Sequence, residues 1–182
     1  MGKKSIDLDS ARHLLHPKLT VLATCVDGEG NPNIITLAWA MPTSIDPSLV
    51  AISVGETRYS HDLIHSVGEF VVNIPSSDLL DEVKLCGSRT GLTADKFEET
   101  DLTPVDSEEV AVPLIEECPA HIECELVDEF RTGDHTIFVG EIVHGSVEEG
   151  IFDESSGTFD MDKFEPVCHV GGSEFVTSGR KI

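Results

Sequence analysis

Residues 53–75 read Ser-Val-Gly-Glu-Thr-Arg-Tyr-Ser-His-Asp-Leu-Ile-His-Ser-Val-Gly-Glu-Phe-Val-Val-Asn-Ile-Pro, and the fold hinges on how this stretch is parsed. An apolar run, residues 49–54, leads into it and suits a buried strand, and Gly55-Glu56 makes a turn. Thr57 and Ser60 then offer hydroxyls able to hold the unpaired amides of a first helical turn. Leu63, Ile64 and Val67 share one face of the short helix this implies, Gly68 closes it, and Phe70-Val71-Val72 opens a new strand. Arg58 sits where the helix dipole and free amides already favour an anion. Between Leu19 and Phe130 the cations are Arg58, Lys84, Arg89 and Lys96 alone. That scarcity makes the Arg58 loop a candidate phosphate cradle. The plainer alternative is a surface turn whose arginine pairs with Glu56 or Asp62.

Upstream, residues 7–15 read as a short helix capped by Asp9 or Ser10 and ended by Pro17. Residues 18–26 and 33–41 are β-rich, and the turn formers between them, Asp27 to Pro32, make the clearest hairpin in the chain. Both arms are mostly apolar rather than alternating, which predicts burial on both faces. After a bend at residues 42–47 comes a third strand, residues 48–54. Downstream of the Arg58 unit, residues 69–74 form a fourth strand, and Ser77 caps a second helix through Leu79, Leu80, Val83 and Leu85. Residues 86–103 lose all periodicity and read as a binding loop. Beyond the acidic, solvated residues 106–109 come a short strand at 113–116 and a long one at 119–130. A turn at 131–134 follows, with an antiparallel mate at 135–147. The tail from Gly150 is looser, and a disordered end is expected beyond Ser178. Short turns between strands, with few and short helices, point to a mainly β, antiparallel barrel. No glycine-rich dinucleotide fingerprint follows any strand.

The totals exclude several classes. A net charge of −22, from 34 acidic against 12 basic residues, argues against nucleic acid or an anionic membrane as partner. The apolar runs are too short to span a bilayer, and the N-terminus lacks a secretory hydrophobic segment, so a cytoplasmic protein is expected. The five cysteines contain no Cys-x-x-Cys pair, and four are expected to be small buried hydrophobes, with Cys86, before Gly87 in a loop, the one facing a ligand. Nor do the histidines suggest a metal site. His121 and Cys124 stand three apart in a strand, on opposite faces, and His13 and His16 have no third ligand near them.

Seven segments, in consistent order over residues 17–147, resemble the flavin reductase-like family. They are Asn33-Ile-Ile-Thr-Leu-Ala-Trp-Ala-Met-Pro, Asp46-Pro47, Ser53-Val-Gly-Glu-Thr-Arg-Tyr-Ser-His, Phe70-Val-Val-Asn-Ile-Pro, Cys86-Gly87, Asp95-Lys-Phe and Gly133-Asp-His-Thr-Ile-Phe-Val-Gly-Glu-Ile. A weaker echo lies at residues 166–172. The resemblance implies an antiparallel split β-barrel of the FMN-binding type, working as a homodimer with its flavin sites near the subunit interface. The chain then divides into an N-terminal helical arm (1–16), the split-barrel domain (17–148) and a C-terminal extension (149–182) packing on the barrel or on a partner subunit. Carried over, the family's roles put Trp39, Ala40 and Met41 along the flavin ring and Ser53, Arg58 and Ser60 on ribityl and phosphate. Asn73, Cys86, Gly87 and Lys96 complete the pocket. Thr36, Val54 and His61 also count as cofactor-binding, and His169 covers the flavin from the tail. His135 is the catalytic candidate, and Lys96 or a backbone amide would stabilise negative charge on the reduced ring. The activity implied is NAD(P)H-dependent reduction of a flavin or ferric acceptor through FMN, which needs no protein nucleophile and matches the lack of a Ser-His-Asp or Cys-His arrangement. The competing expectation is an FMN-carrying electron-transfer protein reduced by a protein partner.

Overall fold

A computed structural model describes residues 2–177; the end expected beyond Ser178 lies outside the described residues. The N-terminal arm holds α1 (Leu8–Ala11), capped by the Asp7 carboxylate, which accepts from the Ser10 amide at 2.8 Å. A 3-10 turn, Arg12–Leu15, continues it. The one helix expected over residues 7–15 is thus two turns of different pitch, capped at Asp7 rather than Asp9 or Ser10. Leu8, Leu14 and Leu15 all stay exposed, so no core contact supports a longer helix.

The first β-rich run divides at Thr20, whose amide donates to the Val167 carbonyl at 2.8 Å. Before it lies β1 (Lys18–Leu19) and after it β2 (Val21–Val26). β2 pairs with β3 (Pro32–Leu37) in the expected hairpin, running from Val21↔Leu37 to Val26↔Pro32. The second arm ends at Leu37 rather than Met41. After Ala38 and Trp39 the chain enters β4 (Ala40–Ser44), which pairs with β5 (Leu49–Gly55). Next come α2 (Tyr59–Val67), closed by Gly68 at φ 78°, and β6 (Glu69–Ile74). A 3-10 turn, Ser77–Leu79, then runs into α3 (Leu80–Ser88); its flanking N-cap is Ser76, and Ser77 lies inside the turn rather than capping a helix. Two-residue strands β7 (Pro104–Val105) and β8 (Leu114–Ile115) pair with each other. The long hairpin follows as β9 (Ala120–Thr132) and β10 (His135–Val147), and the tail forms the pairs β11 (Phe152–Asp153) with β12 (Thr158–Phe159) and β13 (Val167–Gly171) with β14 (Glu174–Thr177).

Seven strands make the main antiparallel sheet, in the order β3-β2-β6-β9-β10-β5-β4. Its two edge strands, β3 and β4, are neighbours in sequence, joined by Ala38 and Trp39 alone. So short a link brings the edges together and forces the sheet to roll up, while the ladder stays open between them: a split β-barrel. Val21, Ala23, Ile35, Ile52, Phe70, Val72 and Phe138 fill the inside, and Leu63 and Ile64 of α2 pack with them. The alternate residues Leu22 and Ile34 meet Val83 and Cys86 of α3 on the outside. All six residues of β2 are therefore buried, as its mostly apolar run requires, and the one polar side chain, Thr24, donates its hydroxyl to the Pro113 carbonyl at 2.7 Å. The tail joins the same cores through Ile151 and Phe164 inside and Val167 outside, and β13 pairs with β1. No helix among the described residues is long and apolar enough to cross a membrane.

The segment around residues 106–112 is held more tightly than its acidic composition suggests. Glu123 is fully buried in β9, and its carboxylate accepts from the amides of Glu108 (3.1 Å), Glu109 (2.8 Å) and Val110 (3.3 Å) and contacts His144 Nδ1 at 3.0 Å. Burial works against the charge, but these bonds outweigh it and hold the carboxyl below its usual range. A depressed folded pKa gives stability that is present above the unfolded value, near 4.5, and is lost as pH falls through the lower folded value. Glu123→Gln should therefore cost about 1–3 kcal/mol at neutral pH. Urea unfolding should show the gap to wild type narrowing in acid; an equal gap at both pH values would refute this account.

Candidate functional site

A cleft of about 280 Å³ opens where the free edge of β3 meets β5, the N-terminus of α2 and the C-terminus of α3. β3 is bonded to β2 on one side only, and on the other its Ile34 carbonyl accepts from Lys96 Nζ at 2.5 Å. Alternate residues of an antiparallel strand turn both main-chain groups to the same side, so Thr36 offers its N–H and C=O to this edge too. Lys96 Nζ also donates to the Cys86 carbonyl at 3.0 Å, tying α3 to β3. The ammonium is buried, which lowers its pKa; Arg58 pushes the same way, and the neighbouring thiols of Cys86 and Cys25 oppose it. Burial also pushes both thiols up to about 11, so neither is a thiolate nucleophile near neutral pH.

Arg58 is itself the N-cap of α2, with no side-chain capping bond. Neither Thr57 nor Ser60 caps the helix; Ser60 is buried, and its Oγ accepts from Asn33 Nδ2 at 2.7 Å. The two carboxylates that could have claimed Arg58 are engaged elsewhere. Glu56 holds Arg131 at 2.6 Å, and Asp62 sits 3.1 Å from His61 Nδ1. Among the described residues Arg58 has no ion-pair partner, and its side chain lines the cleft. Arg89, Thr90 and Gly91 form a further wall, and no acidic side chain among the described residues lines the cleft. At the other end Trp39 lies 4.8 Å from the His135 ring, with Lys18 Nζ 5.2 Å above the indole. His135 Nδ1 is 2.7 Å from Asp134 Oδ1, a bond that lowers the Asp134 carboxyl and turns the ring over Gly55. His169 closes the rim; its Nε2 donates to the Gly172 carbonyl at 2.9 Å, and its ring meets His16 at 5.1 Å.

Of the residues singled out in the sequence, Thr36, Trp39, Ser53, Arg58, Ser60, Cys86, Gly87, Lys96, His135 and His169 line this cleft. Ala40 and Met41 line an adjoining apolar groove of about 330 Å³ that shares Trp39 and Ser53 with it. Three others stand apart. Val54 is in the barrel interior, and His61 Nε2 is 2.9 Å from Thr136 Oγ1. Asn73 spends its amide on Leu22 O, Thr24 Oγ1 and the Ile115 amide. Cys86 and Gly87 lie in the last turn of α3, not in a loop, and the Cys86 side chain is buried in the outer core; the half-exposed cysteine is Cys168. Arg89, Thr90 and Gly91 fall in the stretch read as a binding loop, but the sequence singled out none of the three as a site residue, although Arg89 was one of the few cations available.

A rolled antiparallel sheet with a cationic cleft at its open edge defines a split-barrel protein fitted for an anionic ligand. The chain belongs to the family of the flavin reductase like domain, which it matches over residues 12–167. A protein of Archaeoglobus fulgidus is 45% identical to it over 130 residues, 71% of this chain and 72% of that one. The structure is similar to flavoredoxin of Desulfovibrio vulgaris (Miyazaki F), with a TM-score of 0.88 at 32% identity, covering 100% of this chain and 96% of that one. It shares its fold with an FMN-binding protein from Thermus thermophilus, with a TM-score of 0.85 at 22% identity, covering 100% and 98%. Family and fold together define a flavin-related redox protein.

The cleft wall depends on one close approach: a Cβ at position 91 would overlap Asn33 Oδ1 and lie 2.9 Å from Tyr59 Cδ1. Gly91→Ala must push this wall outward, at a cost of about 1–3 kcal/mol. A melting temperature unchanged from wild type would show that the wall yields freely.

Proposed function

We propose that the chain binds FMN in this cleft and acts as a flavoprotein oxidoreductase, taking reducing equivalents from NAD(P)H and passing them to a flavin or ferric acceptor. The observation that carries this is electrostatic. A chain of net charge −22 lines one cleft with Arg58, Arg89 and Lys96 and with no carboxylate among the described residues. Arg58 and the uncapped amides of α2 fit a phosphate, with the hydroxyls of Thr57 and Thr90 beside them. The free β3 edge at Thr36 and the Trp39 indole fit a planar ring bearing donors and acceptors. FMN, when bound, supplies the redox chemistry, and the protein has to orient it and exclude competing reactions. His135, oriented by Asp134, stands beside Trp39 as the group placed to meet the incoming substrate.

A homodimer belongs to the same proposal. Met41 and Phe130 are 59% and 51% exposed, and with Ile137 they form an apolar outer face next to the cleft that a second copy would cover. The similarity to a flavoredoxin at 32% identity supports a second reading, a flavin-carrying electron-transfer protein reduced by a protein partner.

Arg58→Ala should weaken FMN by on the order of tenfold or more while sparing riboflavin, because a charge-assisted phosphate contact is lost. Equal weakening of both ligands, measured by fluorescence titration, would remove Arg58 from the phosphate site. Anaerobic mixing with NADH or NADPH should bleach the bound flavin, and His135→Ala should slow that step with little change in flavin affinity. Bleaching by dithionite or a reductase alone would favour the electron carrier, and unchanged kinetics in the variant would clear His135 of a role.

A further inference from the structure

The phosphate end of the cleft holds a second guanidinium with a built-in partner. Arg89 is the C-cap of α3: its amide donates to the Leu85 carbonyl at 3.1 Å, and its extended backbone (φ −98°, ψ 152°) takes the chain out of the helix along the cleft wall. That wall is anchored on both sides, by Gly91 against Asn33 and Tyr59 and by Lys96 on the carbonyls of Ile34 and Cys86. The guanidinium pairs with Glu99 through a single Nε–Oε2 contact of 3.5 Å, between side chains 62% and 40% exposed. Glu99 lies outside the cleft, on the turn after Lys96, its amide bonded to the Asp95 carbonyl at 3.0 Å. A lone, long contact between exposed groups is a weak ion pair. A phosphate would offer the same guanidinium shorter, two-pronged, charge-assisted bonds. It would also bring negative charge to Arg58 and Arg89, which line a cleft with no carboxylate among the described residues.

We propose that Arg89 exchanges the Glu99 carboxylate for the phosphate of an incoming phosphorylated flavin, so that Glu99 is an internal competitor that sets the affinity of the site. This rests on the reading of the cleft as a flavin phosphate site. Glu99 does not touch the ligand and acts only through Arg89, which makes it a positioning residue. Its removal should therefore tighten binding, the opposite of what loss of a ligand-contacting or merely structural residue would do.

The test is fluorescence titration of the flavin-free protein with FMN and, separately, riboflavin. Wild type is compared with Glu99→Gln, Arg89→Gln and the double variant. Glu99→Gln should bind FMN about two- to fivefold tighter, the range an exposed ion pair can supply, with riboflavin unchanged. Arg89→Gln should weaken FMN, and adding Glu99→Gln to it should change nothing further. FMN affinity that is unchanged or lower in Glu99→Gln overturns the proposal, as does a Glu99 effect that persists without Arg89. Glu99 is partly exposed and its replacement conservative, so that arm stands even if Arg89→Gln folds poorly. If wild type prefers FMN to riboflavin through Arg58 while Glu99→Gln is silent, this inference alone fails; if wild type shows no preference for the phosphorylated ligand, the phosphate reading fails with it.

Discussion

The free edge of β3 and the end of α3 share no hydrogen-bonded ladder, and one buried ammonium joins them. Lys96 Nζ bonds the Ile34 carbonyl on the free edge of β3 and the Cys86 carbonyl in the last turn of α3. Without that tie, two buried carbonyls lose their donor and α3 is held to the barrel by side-chain packing and the Thr36 hydroxyl, which donates to the Val83 carbonyl at 2.7 Å. The same bonds explain how a charged group survives burial here: carbonyl dipoles replace part of its lost hydration. Arg89, Thr90 and Gly91 follow directly from the end of α3, so their place in the cleft depends on Lys96.

A second constraint is charge. With 34 acidic residues against 12 basic ones, random placement would put a carboxylate beside every cation. The fold prevents this around Arg58 by occupying the local acids: Glu56 with Arg131 from the β9–β10 hairpin and Asp62 with His61. Those pairs contribute little stability, being largely exposed. Their consequence is that the cation at the helix N-terminus stays available for a ligand anion. The split in the barrel serves the same end, since an open edge leaves main-chain donors and acceptors facing the cleft that a closed barrel would pair with another strand.

How much could be seen in the chain varied from element to element. α2 was visible because Leu63, Ile64 and Val67 share a face and Gly68 takes the left-handed cap. The β9–β10 hairpin was visible because two long β-rich runs flank one turn. The end of β3 was not, because nothing local marks Leu37; the strand stops there because the Trp39 carbonyl accepts from the Ser53 amide at 2.9 Å, drawing the chain to the opposite edge. Cys86-Gly87 looked like loop because glycine is a poor helix former. It is helical because Gly87 fits against Thr36, where a Cβ would sit 3.3 Å from the Thr36 Cβ, and because Cys86 packs in the outer core.

By itself the sequence settled the antiparallel, mainly β architecture, the short helix after Arg58 and the poverty of cations, since apolar periodicity, turn chemistry and charge counts are properties of neighbouring residues. Which polar groups meet in the cleft was decided only by the tertiary structure. Asn73, an attractive site residue in the chain, is consumed by Leu22, Thr24 and Ile115, while Arg89, in the chain only one of four scarce cations, lines the cleft with Arg58. The physical reason is that a side chain's hydrogen-bonding capacity is spent on whatever folding brings beside it. Those partners stand 42 to 51 residues away from Asn73, beyond the reach of any local pattern.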